Sequence, residues 1–170
     1  MTRVLAALAL CLLAACSTVP RTAGGGDTAL RPDAGGMAVA GSDQRIDFGR
    51  AEDGVIAAAT RVLGAPPVSR AVNPECGAGP TTIVKYDRID LLFLDGTFRG
   101  WVTDDPRTAA ANGLSPGVTR AQLEAGGYGP FETTTLGVEF EANGVFGLLP
   151  DGAPDTPVQL LWAGTSCFFR

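Results

Sequence analysis

The sequence predicts an α+β domain in which two short helices pack on an antiparallel sheet of about six strands. Three observations predict it. Apolar residues recur at helical spacing around Val55, and again behind a capping signal at Thr119. Asp95-Gly96 and Asn143-Gly144 each separate two runs of strand formers, and such dipeptides mark hairpins because a type I′ turn needs positive φ at both central positions. The runs themselves are short, rich in β-branched and aromatic residues, and bounded by turn residues.

The first helix places Val55, Ile56, Ala59, Val62 and Leu63 on one face, with Glu52 and Asp53 in the early turn. Gly64 followed by Pro66-Pro67 stops it. Two strands follow, T-T-I-V-K-Y from Thr81 and I-D-L-L-F-L from Ile89. A two-residue turn at Asp95-Gly96 sets Phe93 against Phe98 and Leu91 against Gly100. Ile89, Leu91, Phe93, Phe98 and Val102 then share the core face, and Trp101 lies on the other, opposite Asp90. A loop from Asp104 to Pro116 leads to the second helix. There Thr119 and Gln122 have capping-box spacing, Val118 and Leu123 take the hydrophobic-staple positions, and Gly126-Gly127 ends the helix. So short a helix needs a sheet to pack on. In the last third, Thr133–Ala142 and Val145–Leu149 flank Asn143-Gly144, and a final run from Val158 to Ala163 continues towards Cys167-Phe168-Phe169 as a paired strand. The order helix, three strands, helix, three strands invites a degenerate tandem α-β-β-β repeat, with Gly96-Thr97-Phe98 answering Gly144-Val145-Phe146. Against it, Phe146 falls on the face of Glu139 and Glu141, unlike Phe98.

This domain spans residues 46–170. Ahead of it, Arg3 precedes twelve apolar residues, Val4 to Ala15, and then Cys16. That is secretory-signal anatomy, and it falls short of the roughly 20 residues of a membrane span. Leu13-Ala14-Ala15-Cys16 resembles the lipobox of bacterial lipoproteins. The resemblance implies that residues 1–15 are a removed signal peptide and that Cys16 carries the lipid. By the family's sorting rule, Ser17-Thr18 in place of an Asp implies the outer membrane, facing the periplasm. A cleaved but unlipidated signal also fits the apolar run and leaves the cysteine unexplained; an uncleaved anchor is the third reading. Residues 16–45 are mostly small and polar, with isolated Val19, Leu30, Met37 and Val39, and read as a flexible tether with a reach of roughly 30 Å.

Composition narrows the function classes. A net charge of −5 argues against nucleic acid as a partner. The chain has no histidine, which removes Ser-His triads, Cys-His dyads and imidazole-ligated zinc. No Gly-Lys-Ser/Thr ends a glycine-rich stretch, so no P-loop is present. No cofactor is expected. With Cys11 lost in the signal and Cys16 lipidated, Cys76 and Cys167 remain; in an oxidising compartment they read as a structural disulfide, with a redox pair or two free thiols as the other readings.

Gly113 to Ala125, G-L-S-P-G-V-T-R-A-Q-L-E-A, followed by Gly129-Pro130 and a strand, is similar to the G-x-x-x-G-x-T-x-x-Q/E helix start of the small BamE (SmpA/OmlA) outer-membrane lipoproteins. It also resembles the beta-lactamase-inhibitor-protein type of domain. The likeness covers a short stretch. It implies helices on an antiparallel sheet and an accessory role in outer-membrane protein assembly. The Cys76–Cys167 pair and the long first segment depart from the BamE pattern.

Three groups are candidate sites. Glu139 and Glu141 point the same way from one strand, as paired carboxylates for calcium or acid-base hydrolysis, or as a strand's solvated face. Asp104-Asp105-Pro106-Arg107 follows a strand, as a functional loop or a plain turn. Trp101, Trp162, Tyr128 and Phe131 could form an aromatic binding patch, Trp101 first among them, or could be core. The expected function is an envelope lipoprotein without catalysis, held to the membrane by its lipid and offering a binding surface to a protein or envelope component. A BamE-like assembly accessory and a carboxylate-based envelope hydrolase are the alternatives.

Overall fold

Eleven strands and two helices occupy residues 29–168, the part of the chain that the computed structural model describes. β1 (Leu30–Asp33), β2 (Gly36–Val39) and β3 (Arg45–Asp47) form a small antiparallel sheet. After α1 (Glu52–Leu63) come β4 (Ser69–Asn73), β5 (Thr81–Lys85), β6 (Asp90–Leu94) and β7 (Thr97–Thr103). α2 (Arg120–Ala125) precedes β8 (Phe131–Thr133), β9 (Val138–Ala142), β10 (Val145–Leu149) and β11 (Leu160–Gly164). The second sheet has eight strands in the order β4-β5-β6-β7-β11-β10-β9-β8, antiparallel throughout. Each helix thus precedes a four-stranded meander, and the two meanders meet through their last strands, β7 and β11.

The α+β expectation of two helices on about six strands is therefore corrected. The molecule is mostly β, with an eight-stranded and a three-stranded sheet and helices of only 12 and 6 residues. Three departures account for the difference. Residues 30–47, most of them read as tether, form β1 to β3. Ser69–Asn73 pairs with β5 as an edge strand, although its side chains are nearly all exposed and show no apolar alternation. The run from Thr133 to Ala142 is broken by a turn in which the Thr134 N–H donates to the Gly137 carbonyl at 2.7 Å, which splits off β8. The end of the described chain differs too: β11 stops at Gly164, the Thr165 N–H still donates to the Arg99 carbonyl at 2.8 Å, and residues 166–168 belong to no strand.

The helix and hairpin signals stand. Gly64 caps α1 at φ 70°, and Thr119 and Gln122 form a reciprocal capping box on α2. Asp95-Gly96 and Asn143-Gly144 all have positive φ, as a type I′ turn requires. One face of the large sheet carries Leu91, Phe93, Phe98, Trp101, Phe140 and Leu161, all buried. Val55 and Ala59 of α1, Leu123 of α2, and Leu30, Met37 and Ile46 of the small sheet join the same cluster. Each of the Val, Leu, Ile, Phe and Met side chains among them contributes about 1.5–3 kcal/mol relative to exposure.

Candidate functional site

The lipid-attachment residue proposed from sequence, Cys16, and the signal peptide before it lie outside the described residues. Cys76 and Cys167 are brought together as a disulfide with Cα atoms 4.7 Å apart. The bond joins the loop after β4 to the segment after β11, across 91 residues of chain.

Trp101 is not a surface residue, and its assignment as the first candidate for a binding surface is corrected. Phe93 pairs with Phe98 as expected, but Leu92 pairs with Gly100 and Leu91 with Trp101, so Arg99 is a bulge. One extra residue reverses every later side chain. Trp101 therefore moves into the core, where it is fully buried and its Nε1–H donates to the Asp33 carbonyl at 2.8 Å. Val102, expected in the core, moves to the other face. The bulge is accommodated by glycines: a Cβ on Gly100 would sit 2.0 Å from the Thr165 carbonyl oxygen, and one on Gly164, at φ 72°, would sit 2.1 Å from that of Arg99.

The four aromatics do not form one patch. Phe131 packs on Phe140, with the Arg120 guanidinium 4.8 Å from its ring centre. The Tyr128 hydroxyl donates to the Asn112 carbonyl at 3.3 Å. Trp162 pairs with Val102, hence on the opposite face from Trp101. There it stacks on Phe146 at 5.7 Å and meets Phe168 edge-on at 5.2 Å. This outer row, Phe146–Trp162–Phe168, was missed as a unit because it draws on three separate segments.

Beside Phe146 a cleft of about 390 Å³ opens between β8, β9 and β10, lined by Pro130, Glu132, Glu139 and Glu141. Glu139 and Glu141 do share a face, and Glu132 stands directly opposite Glu139 in the ladder. Glu139, only 7% exposed, accepts from the Thr134 hydroxyl at 2.9 Å, and Glu141 accepts from the Gly144 N–H. Among the described residues no group of three His, Cys, Asp or Glu is placed to hold a metal ion. Glu132 escaped notice because its partnership depends on how β8 is paired. The Asp104–Arg107 segment is a turn: Asp105 accepts from the Arg107 N–H and its Nε, both at 2.8 Å, and this bonding holds the Asp105 carboxyl below its ordinary value.

A second, more apolar cleft of about 340 Å³ lies between the end of α1 and the β5–β6 turn, with Leu30, Leu63, Pro66, Val68, Tyr86 and Ile89 on its walls. The Tyr86 hydroxyl donates to the Ile56 carbonyl at 3.1 Å and lies 3.0 Å from the Thr60 hydroxyl, and burial pushes its pKa up. Among the described residues no helix is long and apolar enough to cross a membrane.

Fold and clefts together define a class: an antiparallel β domain closed by the Cys76–Cys167 disulfide, with an acidic-aromatic cleft on one face of its large sheet. No protein-family model, curated protein or solved structure matches the chain.

Proposed function

We propose that this chain is an envelope lipoprotein, anchored by a lipid at Cys16 to the outer membrane and facing the periplasm, whose folded domain is a binding or structural module without catalysis. The observation that carries the reading is Leu13-Ala14-Ala15-Cys16 at the end of twelve apolar residues. The Cys76–Cys167 bond supports an oxidising compartment. The non-catalytic part draws support from the absence of histidine and from the engagement of Glu139 and Glu141 by Thr134 and Gly144. The domain's partner is a protein or envelope component. The assembly-accessory reading rests on the Gly113–Ala125 likeness, and co-purification of barrel-assembly components with the detergent-extracted protein is its test.

Intact-mass spectrometry of the protein extracted from its native membrane tests the anchor. The expected species begins at Cys16 and carries acyl mass, and Cys16→Ala abolishes that mass. An unmodified Cys16 thiol with residues 1–15 still attached overturns the proposal.

A further inference from the structure

The described domain begins at Ala29, whose carbonyl is fixed by the Ala40 N–H at 2.8 Å. Ala29 and Leu30 line one wall of the apolar cleft at the end of α1. Leu63, Ala65, Pro66 and Val68, on the connection from α1 to β4, line another. That connection is held in place: Gly64 closes α1, and the Val68 N–H donates to the Lys85 carbonyl at 2.7 Å. Yet Val68 is 76% exposed, more than any other large apolar residue described. A fixed valine turned to water on the rim of an apolar cleft marks a contact surface.

The charge around this rim runs against that of the molecule. The chain carries a net −5, but residues 54–74 contain no Asp or Glu and two arginines, Arg61 and Arg70. Arg61 is exposed in the last turn of α1, and the Arg70 guanidinium lies 2.7 Å from the Glu52 carboxylate. Asp87, also in the cleft wall, has Arg88 at 3.6 Å and Arg107 at 3.4 Å.

We propose that this rim, residues 65–68 with the cleft beside them, is the face that the domain lays on the phospholipid surface of its own membrane. The inference rests on the lipoprotein reading and adds an orientation to it. Chain length selects lipid as the occupant. Cys16 precedes Ala29 by thirteen residues, a span of at most about 45 Å. β1 to β3 take up the rest of the stretch that the sequence reads as tether. Counted along the large sheet, β8 lies seven strand spacings from β4, roughly 34 Å. Presenting β8 to the bilayer would use most of the available span, whereas the rim beside Ala29 reaches it with length to spare. An apolar rim without carboxylates, on the anchored side, suits a phospholipid surface whose anionic headgroups attract Arg61.

Quenching by brominated acyl chains tests the face. The full-length protein is extracted from its native membrane and reconstituted into phosphatidylethanolamine–phosphatidylglycerol vesicles, plain or brominated. Val68→Trp, Ala65→Trp and Thr133→Trp are separate variants, each at an exposed position. Trp101 and Trp162 are buried, and subtracting the parent isolates the added indole. Emission from Val68→Trp and Ala65→Trp should fall about twofold in brominated vesicles, since an interfacial apolar face sits at the headgroup–acyl boundary. Thr133→Trp, on β8, should not change. Equal quenching at Thr133→Trp overturns the orientation and leaves the anchor standing. So does vesicle-bound protein in which Val68→Trp and Ala65→Trp stay unquenched, as a face kept for a protein would give. Intact mass of the same sample separates the two proposals: an unmodified Cys16 with no uptake into vesicles removes the anchor reading, and this inference with it.

Discussion

Trp101 shows how one inserted residue relocates a functional candidate. The bulge at Arg99 turns the largest side chain of β7 inward, and its indole N–H then reaches the small sheet at Asp33. That hydrogen bond ties β7 to β1, 68 residues apart. Trp101→Phe removes the donor and leaves the Asp33 carbonyl without it, besides a smaller ring in a full core. Urea denaturation should show a loss of about 2–4 kcal/mol. A loss below about 0.5 kcal/mol would mean that the indole is not held as described.

At the scale of elements, the small sheet depends on a charge cluster. Arg45 on β3 donates to both Asp33 oxygens, at 2.8 and 2.9 Å, and to Asp47 at 2.8 Å. The Arg45 hydrogen bond holds the Asp33 carboxyl below its ordinary value against an opposing effect of burial, with the Gly35 N–H assisting. A depressed folded pKa means that this stability is present above the unfolded value of about 3.9 and is lost as pH falls through the folded one. Asp90 has the opposite sign. Burial raises its pKa more than Lys85 lowers it, so its contribution declines as pH rises through the folded value. Unfolding titrations from pH 2.5 to 7 should therefore separate two variants. Asp33→Asn should lose stability at pH 7 and flatten the acid limb. Asp90→Asn should be unchanged or more stable at pH 7, since its exposed lysine partner contributes little. Equal destabilisation by both would contradict the assignment.

Over the whole molecule, two meanders share one sheet, and the disulfide ties the loop after β4 to the segment after β11. That closes a loop of 91 residues, which by chain entropy stabilises the fold by about 4.6 kcal/mol. Cys76→Ser with Cys167→Ser should lower unfolding stability by about that amount, while the parent under reducing conditions should approach the variant. Identical curves for parent and variant under oxidising conditions would mean that the bond is not formed.

Local chemistry was legible wherever a few neighbouring residues suffice. Gly64 could only end α1, Thr119 and Gln122 cap α2 through bonds three residues apart, and Asp95-Gly96 and Asn143-Gly144 adopt the positive φ that their turns need. The cysteine pairing was legible by elimination. The small sheet was not, because strands of three or four residues offer one or two inward positions each. Leu30, Met37 and Ile46 therefore show no period until pairing aligns them. The acidic-aromatic cleft was legible in Glu139, Glu141 and Phe146, which the Asn143-Gly144 turn sets on one face, but not in Glu132, which joins them only across the β8–β9 ladder. By itself the sequence determined the turns, the caps, the candidate lipid-attachment motif and the cysteine pair, since each depends on local backbone geometry or residue type. Tertiary structure alone decided strand number, the Arg99 bulge and hence the inward face of Trp101, because register is set by partners far along the chain and a shift of one residue exchanges the buried and exposed faces.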